Sequence, residues 1–502
     1  MLKSIRLAAD FIFATFIPLG LKAANDEYKL GKIVIVSTGA IDLTPSKPRP
    51  YHRFAKWICP TTSPSLIHRY IHLKEGDALS REELLRIDKM LTALPYFSTA
   101  SVTKNKPQLD SDASVADMVI KTKDRFPISL DLNLVEGPLL TLTHNNVWGY
   151  GHIFRNQLFL KKRWGYGLEY ELPQMHGTYF VGGQWYKQTE ITYMFDCKNA
   201  WLGKSFMIQR KLGLPPSYWI TTFSGYEKTF GTRPTVSAIQ NSPYHHYRFI
   251  LGKIGFVIDG YQKEKGVYSL HSSELIPKGG SIEVLYGYQQ GEFNERKYLG
   301  LSCIKNMANT SFGYLSFSCE AGAFIHKKSL EEGVLKLALD YAAPAKRTAC
   351  NGMRPFIHLD YVSGYRMPKE STLGIKKSDP ESLNKLKENT IYAIKKPINA
   401  RLYLSIHGTF HTPILVNCIR FTLLGFSDFI ALYDRDYNLL NTKLVDHCGL
   451  GFRLQHVTIQ WPTIDLKLGY NPLLGKVIPS VTLSTCCFKN KTNPKPAVIQ
   501  YN

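Results

Sequence analysis

The sequence predicts a transmembrane β-barrel of about 16 antiparallel strands preceded by a small α/β domain. Three observations carry this. Residues 73–124 read as a helix followed by a short β-hairpin, and some 360 residues of short alternating strands come after them. Past Ala24 no apolar run reaches the ~18 residues that a membrane-crossing helix needs. A closed barrel is the other way for a chain to satisfy its backbone polar groups in lipid. A soluble exported β-sandwich shows the same strand period and stays open on these grounds alone.

The first 24 residues are expected to be an export signal. Lys3 and Arg6 precede a mostly apolar stretch at 7–21, Pro18 and Gly20 interrupt it near its end, and Ala23 and Ala24 are small enough for cleavage. That stretch falls short of the roughly 20 residues of a spanning helix.

Residues 25–125 are expected to form the small domain. Residues 32–37 (KIVIVS) alternate and are β-branched, which predicts a strand. Pro45, Pro48, Pro50, Pro60 and Pro64 predict irregular chain up to about residue 65, with a short helix over 65–71. A longer helix starts after Leu79, where Ser80 and Glu83 form a capping box and Leu84, Ile87, Leu91 and Leu94 share a face. Pro95 closes it, and strands follow around 100–103 and 116–122. The order β-α-α-β-β in so short a stretch is too small for an ordinary enzyme domain.

Residues 126–488 alternate between one apolar face and one face of Gly, Ser, Asp, Lys, Arg and Glu. Leu299, Leu301 and Cys303 oppose Gly300, Ser302 and Ile304, and Leu315, Phe317, Cys319 and Ala321 oppose Ser316, Ser318, Glu320 and Gly322. Cys448, Leu450, Phe452 and Leu454 oppose Gly449, Gly451, Arg453 and Gln455, and Ile464, Leu466, Leu468 and Tyr470 oppose Asp465, Lys467 and Gly469. This is the pattern of a lipid-facing wall around a polar lumen. Trp148, Tyr150, Trp164, Tyr166, Trp185, Tyr186, Trp219 and Trp461 recur near strand ends, as interfacial girdles require. At roughly 22 residues per strand and connection, the region holds about 16 strands.

The formal net charge is +22, of which the first 24 residues contribute +2. The Lys and Arg residues are scattered between apolar strands without a basic helix, finger or arm, so no nucleic-acid partner is expected. Anionic lipid and lipopolysaccharide are the polyanions an exported protein meets. Nine cysteines, an odd number without CxxC spacing, indicate neither a zinc ribbon nor a disulfide framework.

His68 and His72 have helical i, i+4 spacing but no third ligand follows, and His407 and His411 fall on a strand. The pairs Gly149/Gly151, Gly165/Gly167 and Gly449/Gly451 precede no helix, which argues against a phosphate cradle and for barrel bends or close packing. No GxSxG, HExxH or GxxxxGKS/T sequence occurs. No catalytic residue, metal ligand or cofactor is assigned, and the chain is not expected to be an enzyme.

Several of these segments resemble a known family. The opening KIVIVS strand, then LKEGDALSREELLRIDKMLTALPYFSTASV with Gly76-Asp77 before the helix and Pro95-Tyr96-Phe97 after it, then VADMVIKTKD, resemble a POTRA domain. That is the periplasmic module of the BamA/TamA superfamily of bacterial outer-membrane barrels. LTHNNVWGYGHIF, with Asn146, Gly149 and Gly151, resembles the first barrel hairpin of these proteins, and CGLGFRLQ with TIDLKLGYNP resembles their penultimate strands.

The resemblance implies one POTRA domain at 25–125, a barrel over 126–488 and a tail at 489–502. It also implies a role in inserting, assembling or translocating proteins at the outer membrane. Unfolded outer-membrane or secreted proteins would be the clients, and periplasmic assembly factors further partners. Gly76, Asp77, Phe97, Asn146, Gly149 and Gly151 are the residues it singles out.

Two features depart from the family pattern. Residues 364–399 contain Gly364-Tyr365-Arg366 but no Arg-Gly-aromatic motif, and Phe488 is preceded at its own phase by Cys486, Ser484 and Thr482 rather than apolar residues. A passive outer-membrane channel or surface antigen is the alternative these departures favour.

Overall fold

In the computed structural model, the described residues are 28–40, 57–71, 73–79, 81–94, 96–105, 115–133, 139–160, 164–173, 179–189, 193–209, 217–238, 240–241, 244–265, 273–309, 312–344, 353–368, 373, 398–416, 419–434, 445–456, 463–471, 475–484 and 495–501. The expected export signal at 1–24 lies outside them. So do Ser80, Pro95, His72, Trp461, residues 374–397 of the departing loop, and Cys486, Cys487 and Phe488.

The N-terminal unit is β1 (Tyr28–Thr38), α1 (Pro64–Ile71), β2 (Ala78–Leu79), α2 (Arg81–Ala93), β3 (Phe97–Asn105) and β4 (Val115–Asp124). Its sheet runs β2-β1-β4-β3, with β1 parallel to β4 and the other pairs antiparallel. The helical spacing read from the sequence fills the core: Ile87 and Leu91 are fully buried, with Leu84 and Leu94 packed beside them. They meet Leu66, Ile67 and Ile71 of α1 and Met118 and Ile120 of β4.

Eighteen strands form one closed barrel, two more than the roughly 16 expected. Its first half holds β5 (Ile128–Asn133), β6 (Leu139–Val147), β7 (His152–Leu160), β8 (Trp164–Leu172), β9 (Tyr179–Thr189), β10 (Met194–Gln209), β11 (Ser217–Thr232) and β12 (Tyr247–Ile258). A small hairpin, β13 (Tyr261–Lys265) and β14 (Ser273–Pro277), stands apart as its own two-stranded sheet. The barrel continues with β15 (Gly279–Gly291), β16 (Glu295–Asn309), β17 (Gly313–His326), β18 (Ser329–Ala342), β19 (Met353–Tyr365), β20 (Ala400–Val416), β21 (Ile419–Tyr433), β22 (Val445–His456), β23 (Thr463–Asn471) and β24 (Lys476–Ser484), and β24 closes onto β5. The extra strands come from tight connections. Only Lys327 and Lys328, both at positive φ, separate β17 from β18.

Alternation sorts the wall as the sequence implied. Leu450, Phe452, Leu466 and Leu468 are exposed on the outer surface, while Arg453 and Asp465 are buried on the inner one. The inner pair is bidentate, with the Arg453 Nε and Nη2 donating to the two Asp465 oxygens at 2.8 and 2.9 Å. Other inward pairs are Lys253–Glu283 and Arg155 with Glu169 and Glu171. Of the aromatic residues expected near the strand ends, Trp148, Tyr150, Trp164, Tyr166 and Trp219 are exposed. Tyr186 is the correction: it faces inward against Phe159 and Phe195, because its register partner across β8 is the inward Gly167.

Candidate functional site at the domain–barrel junction

The chain leaves the small domain at Asp124 and enters the barrel at Ile128, so three residues connect the two units. A short connection alone would let them swivel. A buried relay of side chains prevents this. The Asp124 carboxylate accepts from the Thr62 amide and from the Thr62 hydroxyl, both at 2.7 Å. The Thr62 Oγ1 in turn accepts from Asn146 Nδ2 at 2.7 Å, and Asn146 Oδ1 accepts from the Gly151 amide at 2.7 Å. Thr62, Asp124 and Asn146 are 1, 3 and 3% exposed. Burial raises the Asp124 carboxyl above its ordinary value, and the two bonds from Thr62 pull it partly back.

Asn146, Gly149 and Gly151 belong to the turn between β6 and β7, and the relay explains their identities. Asn146, Trp148, Gly149 and Gly151 all sit at positive φ, between 56° and 79°. The turn curls so tightly that the Gly149 carbonyl accepts from the Ser63 amide at 2.9 Å. A Cβ on Gly149 would lie 2.5 Å from the Thr61 carbonyl oxygen, and one on Gly151 would lie 3.0 Å from Leu66 of α1. His144 Nε2 and the Ile58 carbonyl add a contact at 3.0 Å, and Leu172 of β8 packs onto the domain core.

Phe97 belongs to this cluster from the domain side. It is 1% exposed, lies edge-on to Tyr96 with ring centroids 5.2 Å apart, and begins β3. The Tyr96 hydroxyl pairs with that of Tyr70 and lies against Gly151. Burial pushes Tyr70 up to about 12, so this phenol stays neutral and able to share a proton. Gly76 and Asp77 are placed elsewhere, in the turn ahead of β2. The Gly76 amide donates to the Leu30 carbonyl and the Leu30 amide to the Asp77 carbonyl, both at 2.8 Å, while the Asp77 carboxylate accepts from the Lys74 amide at 2.9 Å. They pin this turn to β1, a role separate from the junction.

Two open backbone features flank the junction. On the β2 side of β1, Tyr28 and Lys29 pair with β2 and Leu30 with the turn at Gly76 and Asp77; among the described residues the stretch beyond Leu30 has no strand partner there and is a free edge. Val34 and Val36 are exposed along it. The second is the closure of the barrel. β5 has 6 residues and β24 has 9, against 17 in β20. At ~3.3 Å per residue and a ~40° tilt, strands of 6 and 9 residues cross about 15 and 23 Å, no more than an apolar band of ~25 Å. Pro479 of β24, paired with Leu468, also lacks an amide to donate.

No protein-family model and no curated protein matches the sequence. Solved structures do. One is BamA from Haemophilus ducreyi lacking POTRA domains 1–3, at 12% identity and TM-score 0.42, covering 91% of this chain and 85% of that one. A second is CdiB from Acinetobacter baumannii, at 14% identity and TM-score 0.45, covering 90 and 73%. CdiB from Escherichia coli matches at 7% identity and TM-score 0.32, covering 95 and 96%.

Among the described residues no group of His, Cys, Asp and Glu is arranged to hold a metal. His407 stacks on Phe356 at 4.9 Å. Sequence reasoning missed Thr62, Asp124 and Tyr96 as junction residues. Thr62 and Asn146 are 84 positions apart, and no local pattern links them.

Proposed function

We propose that the chain is an outer-membrane barrel of the BamA/TamA kind whose N-terminal domain lies in the periplasm, and that it helps insert, assemble or translocate other proteins there. The observation that carries this reading is the buried relay from Asp124 through Thr62 and Asn146 to Gly151. It fixes a sheet with a free edge directly under the first barrel hairpin, next to β5, the shortest of the described barrel strands. An unfolded segment adds to the β1 edge by backbone hydrogen bonds, with Val34 and Val36 offering apolar contact. It then passes to the β24–β5 closure, whose described strands have 9 and 6 residues. The work is hydrogen-bond exchange, without a catalytic residue or cofactor. The basic charge of the chain suits a surface of anionic lipid or lipopolysaccharide.

A second reading, a passive channel or surface antigen, is favoured by the absence of an Arg-Gly-aromatic sequence at 364–399. Depletion in the native cell, with the outer-membrane protein profile followed, separates the two. Loss of many barrels supports general assembly, loss of one secreted protein supports a dedicated transporter, and an unchanged profile supports the passive barrel. Photo-crosslinkers at Val34 and Val36 that capture no unfolded client would sink the edge mechanism.

A further inference from the structure

Residues 495–501 are seated against the barrel wall. β24 ends at Ser484, at the end of the barrel that carries the small domain, and residues 495–501 lie inside the lumen. Lys495 Nζ donates to Gln184 of β9 at 2.5 Å and stands 4.6 Å over the Trp201 ring of β10. Val498 packs on the inward cluster of Phe249, Leu251, Leu285, Tyr298 and Phe324. The Ile499 amide donates to the Tyr298 hydroxyl at 2.9 Å. Tyr501 donates from its hydroxyl to the carbonyls of Asn399 and Ile398, at 2.9 and 3.2 Å, just before β20 begins. In the ring of 18 strands β9 and β20 are nine places apart, so this segment crosses from one wall to the opposite one.

The wall is shaped for the segment. A Cβ on the inward Gly322 would come within 3.3 Å of Ile499 Cδ1, and one on Gly364 within 2.6 Å of the Tyr501 ring. Ile499 and Tyr501 are 9 and 7% exposed and complete an apolar cluster with Val334, Val362, Ile430 and Leu432. Yet the segment adds no strand to any sheet. Its described bonds run through side-chain anchors and the Ile499 amide, and these separate more readily than a strand in a ladder. An 18-stranded wall with nothing inside leaves an aqueous channel.

We infer that residues 495–501 are a built-in plug: a C-terminal peptide seated in a lumenal receptor site, whose release opens the barrel to water and ions. The site takes an extended peptide with a basic residue at one end and an isoleucine and a terminal-side tyrosine at the other. This concerns permeation alone and stands or falls independently of client handling.

The test is conductance in planar bilayers of the full chain, of a chain ending at Asn493, and of full-length Ile499→Asp and Tyr501→Ala. The full chain should stay largely closed. Truncation should raise conductance to that of an open pore, because an unfilled barrel of this strand number leaves an aqueous channel. A synthetic peptide of residues 494–502 should close the truncated barrel again, and a scrambled one should not. The point variants report even where truncation impairs folding, which heat-modifiable gel mobility reveals. Equal conductance of full-length and folded variant barrels would overturn the inference. Because no client is present, that result would leave the assembly reading untouched.

Discussion

Replacing Asn146 by Ala should unlock the small domain from the barrel while leaving both folded. The side chain makes two bonds, one to Thr62 and one from the Gly151 amide, both in a site 3% exposed. Losing the acceptor strands the Gly151 N–H, which costs about 1–3 kcal/mol. Asn146 also sits at φ 65°, where Ala is disfavoured by about 1 kcal/mol more than Asn. The total, about 3 kcal/mol, lowers the docked-to-undocked ratio on the order of 100-fold. Hydrogen exchange of the full chain in detergent would read this as lost protection at the Gly151 amide, with the barrel ladder unchanged. Asn146→Gly removes the same bonds without the backbone strain, so it should fall between the two. Protection at Gly151 within about 0.5 kcal/mol of the parent in Asn146→Ala would refute the relay as the lock.

Three further outcomes follow, two from the junction and one from the inner wall. Gly149→Ala, with its Cβ 2.5 Å from the Thr61 carbonyl, should expose the 125–127 connection to limited proteolysis. Asp124 has a raised pKa when folded, so the native state binds the extra proton first. Its contribution is therefore full below the unfolded value of ~3.9 and declines as pH rises through the folded pKa. The stability difference between the parent and Asp124→Asn, measured by denaturant titration, should shift in that direction and then level off. Arg453→Leu leaves the buried Asp465 carboxylate without its bidentate partner and should cost about 3–5 kcal/mol, while adding Asp465→Leu should recover most of it. Heat-modifiable gel mobility reads both.

Much of the architecture was legible because a strand in a barrel has one lipid face and one lumen face. The phases assigned to Leu450, Arg453, Asp465 and Leu468 are those observed. The helical face of Ile87 and Leu91 was equally legible, since burial follows a local period. The strand number was less so. An average repeat length cannot anticipate a turn as short as Lys327–Lys328 or a strand of 6 residues. For Gly149 and Gly151 the sequence left barrel bends and close packing both open; what packs against them, Thr61 and Leu66, lies more than 80 residues away.

The sequence by itself determined the in–out alternation of strands such as those at 448–455 and 464–470 and the buried face of the helix that holds Ile87 and Leu91. Both are written in periodicities that repeat within a few residues. Only the tertiary structure decided that Thr62, Asp124 and Asn146 share one buried relay, and that Ile499 and Tyr501 occupy the lumen. Those contacts join residues about 60 to 200 positions apart, and they form because closing the barrel and docking the domain bring distant polar and apolar groups together in places water cannot fill.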